Sequence, residues 1–166
     1  MSATMPVSIR SVLANLNDPM HQDAVVMLID AYSRDDYGDG KPLDPDVKAR
    51  LIQGLQQHPT TEIVLAFANE TPAGIAVCFR GFSTFSARPL LNIHDFMVVP
   101  AYRGCGVAKL VLDAVETRAR QLGCCKLTLE VLDRNERALR TYKSAGFIRY
   151  ALQEGTGEAI FLTKAL

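Results

Sequence analysis

The residues best equipped for chemistry stand in one run, Val98–Val99–Pro100–Ala101–Tyr102–Arg103–Gly104–Cys105–Gly106–Val107–Ala108. An apolar strand ends at a proline, a glycine-bearing turn follows, and an amphipathic helix begins. Such a turn aims backbone N–H groups and the positive end of a helix dipole at one spot, where a phosphate can sit. Arg103 adds a fixed positive charge beside it. Gly104 and Gly106 allow backbone to approach a ligand closely and tolerate unusual dihedrals. The run suggests a pyrophosphate-bearing ligand.

Groups able to move protons flank this run. His94 and Asp95 lie in the apolar stretch Leu90–Val99, and period-2 alternation puts them on opposite faces of a strand. One of them then faces a cleft while the other is buried or paired. Neutral imidazole is a competent base near pH 7. Structural roles compete: a strand histidine held by a hydrogen bond, or a carboxylate that satisfies loop N–H groups. Glu130 is a third carboxylate, on the following strand. Asn135 and Tyr142 are seven residues apart, about two helical turns, with the small Ala138 between them on the same face. A phenol donates a proton while staying neutral at pH 7; an amphipathic core tyrosine with its hydroxyl at the rim fits the same spacing. Cys105 sits at a helix N-terminus beside Arg103, where a thiol pKa can fall, but packing is the simpler role for so small a side chain.

Positioning these groups requires a mixed α/β framework. A strand is expected at Val7–Leu13 and a helix carrying Met20, Ala24, Met27, Leu28 and Ala31, with Pro19 at its first position. Ser33–Pro45 reads as a loop, and a second helix runs from about Asp46 to Gln57, stopped by Pro59. Strands follow at Glu62–Ala68, at Gly74–Phe79 with extension toward Phe85, and at Leu90–Val99. The chain then alternates: helix Gly106–Leu122, strand Lys126–Leu132, helix Asn135–Ala145, and strands Phe147–Leu152 and Ala159–Thr163. Gly123 and Gly146 fall where helices terminate. The fold class is α/β, a single domain over 1–166 with a mixed, mostly antiparallel sheet flanked by helices.

Composition excludes several classes. The chain has 166 residues and 48% hydrophobic content, enough for a real core and too apolar for a disordered tail. Lys plus Arg and Asp plus Glu balance at 18 each, so no global charge draws the chain to nucleic acid or anionic membrane. No apolar run reaches the roughly 18 residues of a membrane helix, and Met1–Arg10 lacks the pattern of a signal peptide. Cys78, Cys105, Cys124 and Cys125 show no C-x-x-C spacing, which argues for reduced thiols in a cytoplasmic protein and no structural metal. The chain also lacks G-x-G-x-x-G and G-K-[ST], so a nucleotide-binding module ranks low.

Arg103–Gly104–Cys105–Gly106–Val107–Ala108 resembles the R/Q-x-x-G-x-G/A signature of the GNAT (Gcn5-related) N-acetyltransferase superfamily, and its strand–turn–helix context adds specificity. The later pattern of Leu127, Leu129, Val131, Asn135, Ala138, Tyr142, Gly146 and Phe147 is similar to the second half of that core. The resemblance covers residues 62–151 well and the N-terminal helices loosely. It implies a domain of the acyl-CoA N-acyltransferase fold that binds acetyl-CoA, without a metal, and transfers acetyl to a primary amine by direct attack in a ternary complex. By that resemblance, backbone N–H groups of Arg103–Ala108 hold the pyrophosphate. The strand Met97–Val98–Val99 pairs with the pantetheine arm and is splayed from Lys126–Leu132, Asn135 contacts that arm, and Tyr142 protonates the departing thiolate. Some polyamine-acetylating members carry an acidic residue where this chain has His94, so His94 and Asp95 are the expected base candidates.

The resemblance also places the first two helices and their connection along the acceptor cleft. Asp35, Asp36, Asp39, Asp44 and Asp46, five carboxylates within twelve positions, would attract a cationic small-molecule amine. Tyr32 and Tyr37 would pack on it. A solvated loop explains the same residues. Arg80, Phe82, Phe85 and Arg88 would form the opposite wall. A protein or peptide N-acetyltransferase and a non-catalytic acyl-CoA sensor remain the other readings. Homodimers are frequent among similar proteins, although no segment of this chain marks an interface.

Overall fold

The computed structural model describes residues 7–150 and 159–166. Contacts group the chain into two compact units, Met1–Leu129 and Glu130–Leu166.

The first unit is built on a five-stranded sheet in the order β1-β2-β3-β4-β5. Its strands are β1 (Ile9–Leu13), β2 (Thr61–Ala68), β3 (Thr71–Ser83), β4 (Arg88–Val98) and β5 (Leu127–Leu129). The first four are antiparallel neighbours; β5 joins β4 in parallel. Helices α1 (Pro19–Arg34) and α2 (Pro45–Gln57) cover one face. Their Ala24, Val25, Leu28 and Leu55 share a core with Ile63, Leu65, Phe67, Ile75, Val77 and Met97. The alternate residues Val64, Ala66, Ala76 and Cys78 are equally buried and face the other way, as the two-residue strand period requires. Helix α3 (Val107–Gln121) packs on β1 to β4 and buries Val107, Val111, Val115 and Ala119. Arg118 of α3 adds a two-pronged ion pair to Glu62 of β2, at 2.8 and 3.3 Å.

Local chemistry sets the helix ends. Asp18 accepts from Met20 N at 2.9 Å ahead of Pro19, the first residue of α1, which satisfies an amide with no intrahelical partner. Asp30 receives Lys48 at 2.8 Å, Arg34 at 3.0 Å and Leu43 N at 2.9 Å, and so holds α2 and the loop against α1. The cations and the amide outweigh burial and lower its pKa from 3.8 to about 2.

In the second unit, α4 (Glu136–Ser144) is followed by Gly146 at φ +89°. Two expected strands differ from the structure. Phe147–Leu152 carries no strand over residues 147–150, and its last two residues lie outside the described ones. Ala159–Thr163 is not strand either. A strand exists through its ladder partners, which apolar composition alone does not supply. Among the described residues, no helix is long and apolar enough to cross a membrane.

Candidate functional site

The glycine turn forms as the sequence indicates. Pro100–Tyr102 make one 3-10 turn, closed by Tyr102 N to Val99 O at 3.0 Å and Arg103 N to Pro100 O at 3.2 Å. Gly104 takes φ +78° and Gly106 φ +84°, both left-handed and therefore suited to glycine. Gly106 is also the N-cap of α3, and no side chain caps that end. The amides of the first turn have no acceptor within the helix. A Cβ at either glycine would meet nothing within 4 Å, so the turn is open on that side. Open glycine backbone beside an uncapped helix start is what a diphosphate requires. Cys105 is exposed, its Sγ 3.8 Å from Arg103 O.

Arg103 behaves differently from the expectation of a charge facing the phosphate. Its Nη2 donates to Asp35 Oδ2 at 2.6 Å and its Nε to Val98 O at 2.9 Å, with Met97 Sδ 3.9 Å away. The guanidinium is committed to the end of α1 and the end of β4.

Strand β4 supplies an open edge. Its pairing with β5 covers Leu91, Asn92 and Ile93 only, so β4 from His94 to Val98 has no strand partner on that side among the described residues. The expected neighbour strand to Leu132 is only Leu127–Leu129, and Glu130 falls just beyond it, exposed. Val99 N donates to Ala73 O at 3.0 Å, toward β3. Backbone direction alternates along an antiparallel strand. Val98 therefore turns both its backbone groups to the open edge, where its carbonyl meets Arg103. The N–H of Val99 is spent on β3 and its carbonyl on Tyr102; the edge donor nearest the glycine turn is Val98.

A bulge repositions the proton-transfer candidates. Val77 pairs with Asp95 and Cys78 with Ile93, so His94 is the extra residue. The expectation of opposite faces for His94 and Asp95 is corrected by this shift, because an extra residue resets the alternation. Asp95 faces the side of Val77, a member of the α1–α2 core. The His94 ring meets Phe79 edge-on at 5.5 Å, and Phe79 packs on the same core. Burial raises the Asp95 pKa above 3.8, and His94 opposes that rise. Burial, then the charges of Asp95 and Asp35, raise Tyr32 above 10, so its phenol stays neutral.

The acidic connection is only partly available. Asp35 is bonded to Arg103 and Asp46 to Arg50 at 2.9 Å, while Asp36, Asp39 and Asp44 are exposed. Of the aromatics on the expected opposite wall, Phe82 and Phe85 are exposed.

In the second unit, Asn135 is the N-cap of α4, and its Oδ1 accepts from Ala138 N at 3.1 Å. Tyr142 is buried, with Phe147 edge-on at 5.8 Å. Phe147 N donates to Tyr142 O at 3.0 Å.

Sequence reasoning missed Gly74. A Cβ there would lie 3.0 Å from Val107 Cγ1, 3.1 Å from Met97 O and 3.4 Å from Val98 Cγ2. This glycine lets β3, β4 and the start of α3 meet. A glycine inside a strand pattern is the available signal. The bulge at His94 has no comparable mark in the sequence.

The mixed sheet, with its β4 edge open beside a glycine turn and an uncapped helix, has the fold of solved acetyltransferase structures. The chain belongs to the Acetyltransferase (GNAT) family, whose model matches residues 25–147. A thialysine N-epsilon-acetyltransferase of Caenorhabditis elegans is 29% identical over 113 residues, covering 68% of this chain and 64% of that protein. The Bos taurus enzyme of the same name is 36% identical over 73 residues, covering 44% and 42%. The chain thus spans less than two thirds of the length of these relatives. A crystal structure of a probable acetyltransferase superposes with a TM-score of 0.77 over 94% of this chain and 99% of that one, at 22% identity, and supports the fold.

Proposed function

We propose that residues 1–166 act as an acetyl-CoA-dependent N-acetyltransferase whose acceptor is the terminal primary amine of a small, cationic, lysine-like molecule. The observation that carries this reading is the open glycine turn at Gly104 and Gly106 beside an unpaired β4 edge. Family membership and the relatives named for thialysine support the amine acceptor. Acetyl-CoA supplies an activated acyl thioester when bound. Amides of Gly104, Gly106, Val107 and Ala108 hold its diphosphate, since those of Arg103 and Cys105 are bonded to Pro100 O and Tyr102 O, and the edge of Met97–Val98 aligns its arm. The Val98 N–H is the donor we assign to the carbonyl oxygen, where developing negative charge makes a fixed dipole most effective.

An alkylammonium must lose a proton before it attacks, since its pKa is about 10.4. His94 and Asp95, brought to one face by the bulge, are the groups we assign to accept it. The upward shift of Asp95 makes it a stronger base than an ordinary carboxylate. Tyr142 is assigned by the family pattern to donate its phenolic proton to the leaving thiolate, and Asn135 to contact the cofactor arm. Direct attack fits better than an acyl-enzyme, because exposed Cys105 sits in the diphosphate turn.

The test is thiol release from acetyl-CoA against a panel of thialysine, lysine, ornithine, polyamines, aminoglycosides and peptides with free amines. Turnover with one aliphatic diamine class is expected. Tyr142→Phe is expected to lower kcat by about 100-fold or more, the usual range for a lost general acid, with little change in CoA binding. Turnover only with peptides would move the assignment to a protein acetyltransferase. Tight CoA binding with no turnover on any amine would favour a sensor.

A further inference from the structure

Arg103 has its backbone in the glycine turn and its side chain on a different part of the unit. Its guanidinium is 2.6 Å from Asp35 Oδ2, 68 residues away in sequence. Both side chains are largely buried, at 24% and 14% exposed. Asp35 caps the C-terminus of α1 through its own N–H to Tyr32 O. Its carboxylate also accepts from Tyr37 N at 3.3 Å, and its carbonyl accepts from Gly38 N at 2.9 Å. One aspartate thus organises the first turn of the α1–α2 connection and grips the first residue of the glycine turn. The Nε bond to Val98 O fixes the third corner, on the β4 edge.

A buried ion pair adds little net stability over an apolar pair, but removing one partner leaves a costly lone charge. What such a pair does supply is a fixed register between the elements it joins. Asp35 also neutralises Arg103, so this arginine contributes position rather than charge to the turn.

We propose that Arg103 and Asp35 are positioning residues that couple the diphosphate turn to the α1–α2 connection, so that acyl-CoA and the acceptor amine each tighten the other's binding. The inference rests on the reading that the turn holds diphosphate and the connection flanks the acceptor. A ligand that fixes the backbone of Arg103 also fixes the guanidinium, and through it Asp35 and the connection. Coupling of this kind is reciprocal between the two ligands.

The experiment uses free CoA and thialysine as probes, which together bind without turnover. In the wild-type chain, CoA is expected to slow amide hydrogen exchange at residues 103–109 and also at 36–44. Saturating thialysine is expected to lower the CoA Kd by about fivefold or more, the lower range of measured couplings. In Asp35→Asn, protection should be confined to 103–109 and the effect of thialysine on the CoA Kd should fall within about twofold of none. Asp35→Glu, which keeps the charge, should restore part of the coupling. Because Asp35→Asn leaves a buried unpaired guanidinium, Asp35→Asn/Arg103→Gln is run beside it, with melting curves for both; the same loss is expected there. Coupling and protection at 36–44 that persist in these variants would overturn the proposal, as would protection in the wild type limited to 103–109. Failure of CoA to bind the wild type would instead overturn the acetyltransferase reading beneath it.

Discussion

Replacing Gly74 by alanine places a methyl group where β3, β4 and α3 already touch. The new Cβ would lie 3.0 Å from Val107 Cγ1 and 3.1 Å from Met97 O, against an optimum of about 3.5–4.0 Å between carbon atoms. The carbonyl belongs to the β4 ladder and cannot rotate away, so α3 or β3 must shift by about half an ångström. Overpacking of this kind costs about 1–3 kcal/mol. For a domain of this size that is a fall in Tm of about 2–12 °C. The sign is diagnostic. Gly74 does not have a positive φ, so alanine is free to adopt its backbone. With room for the methyl group, Gly74→Ala would raise stability by about 0.4–1 kcal/mol through the unfolded state. The strain also falls on Val107, the first residue of α3 and the neighbour of Gly106. CoA affinity should therefore drop about tenfold, equivalent to about 1.4 kcal/mol. Thermal melting and calorimetric titration with CoA read both effects. Gly74→Ala combined with Val107→Ala removes the Cγ1 contact but not the carbonyl contact. The pair should be less destabilising than the sum of its parts, as expected for touching residues. Unchanged or increased Tm in Gly74→Ala with unchanged CoA affinity would refute the close approach on which this argument stands.

Two further predictions concern ionisable groups. Asp30 has a folded pKa of about 2 against 3.8 unfolded, so its stabilising contribution is present above pH 3.8 and is lost as pH falls through 2. Asp30→Asn should destabilise the chain at pH 7 by about 1–2 kcal/mol, discounted for the partly exposed Lys48 and Arg34, and this deficit should shrink below pH 4 in denaturant titrations. Burial, then Glu62 and Asp95, push the Cys78 thiol up to about 12, leaving a thiolate fraction of about one in ten thousand at pH 8. Exposed Cys105 should react with a thiol reagent within minutes in the native state, and Cys78 only after unfolding; prompt labelling of Cys78 would contradict its burial.

Local pattern determined much of this molecule. Pro19, Gly104 and Gly106 announce their helix start and turn through φ preference and the missing proline donor, and those properties belong to single residues. The apolar runs located β2, β3 and β4 to within a few residues, because strands covered on both faces are apolar along most of their length. The R-x-x-G-x-A run Arg103–Ala108 marked the glycine turn and the start of α3 that the structure shows. Other features depend on pairing between distant segments, which no local pattern encodes. The bulge at His94 arises from register against β3 and moved His94 and Asp95 from opposite faces to one. Arg103 reads as a phosphate ligand from its neighbours, yet its charge is taken by Asp35. The open edge of β4 exists because β5 is three residues long, and the apolar run Lys126–Leu132 gave no sign of where its ladder would stop. Composition sets what each residue can do; which partner it meets, and so which of those things it does, is decided by the contacts that only the tertiary fold creates.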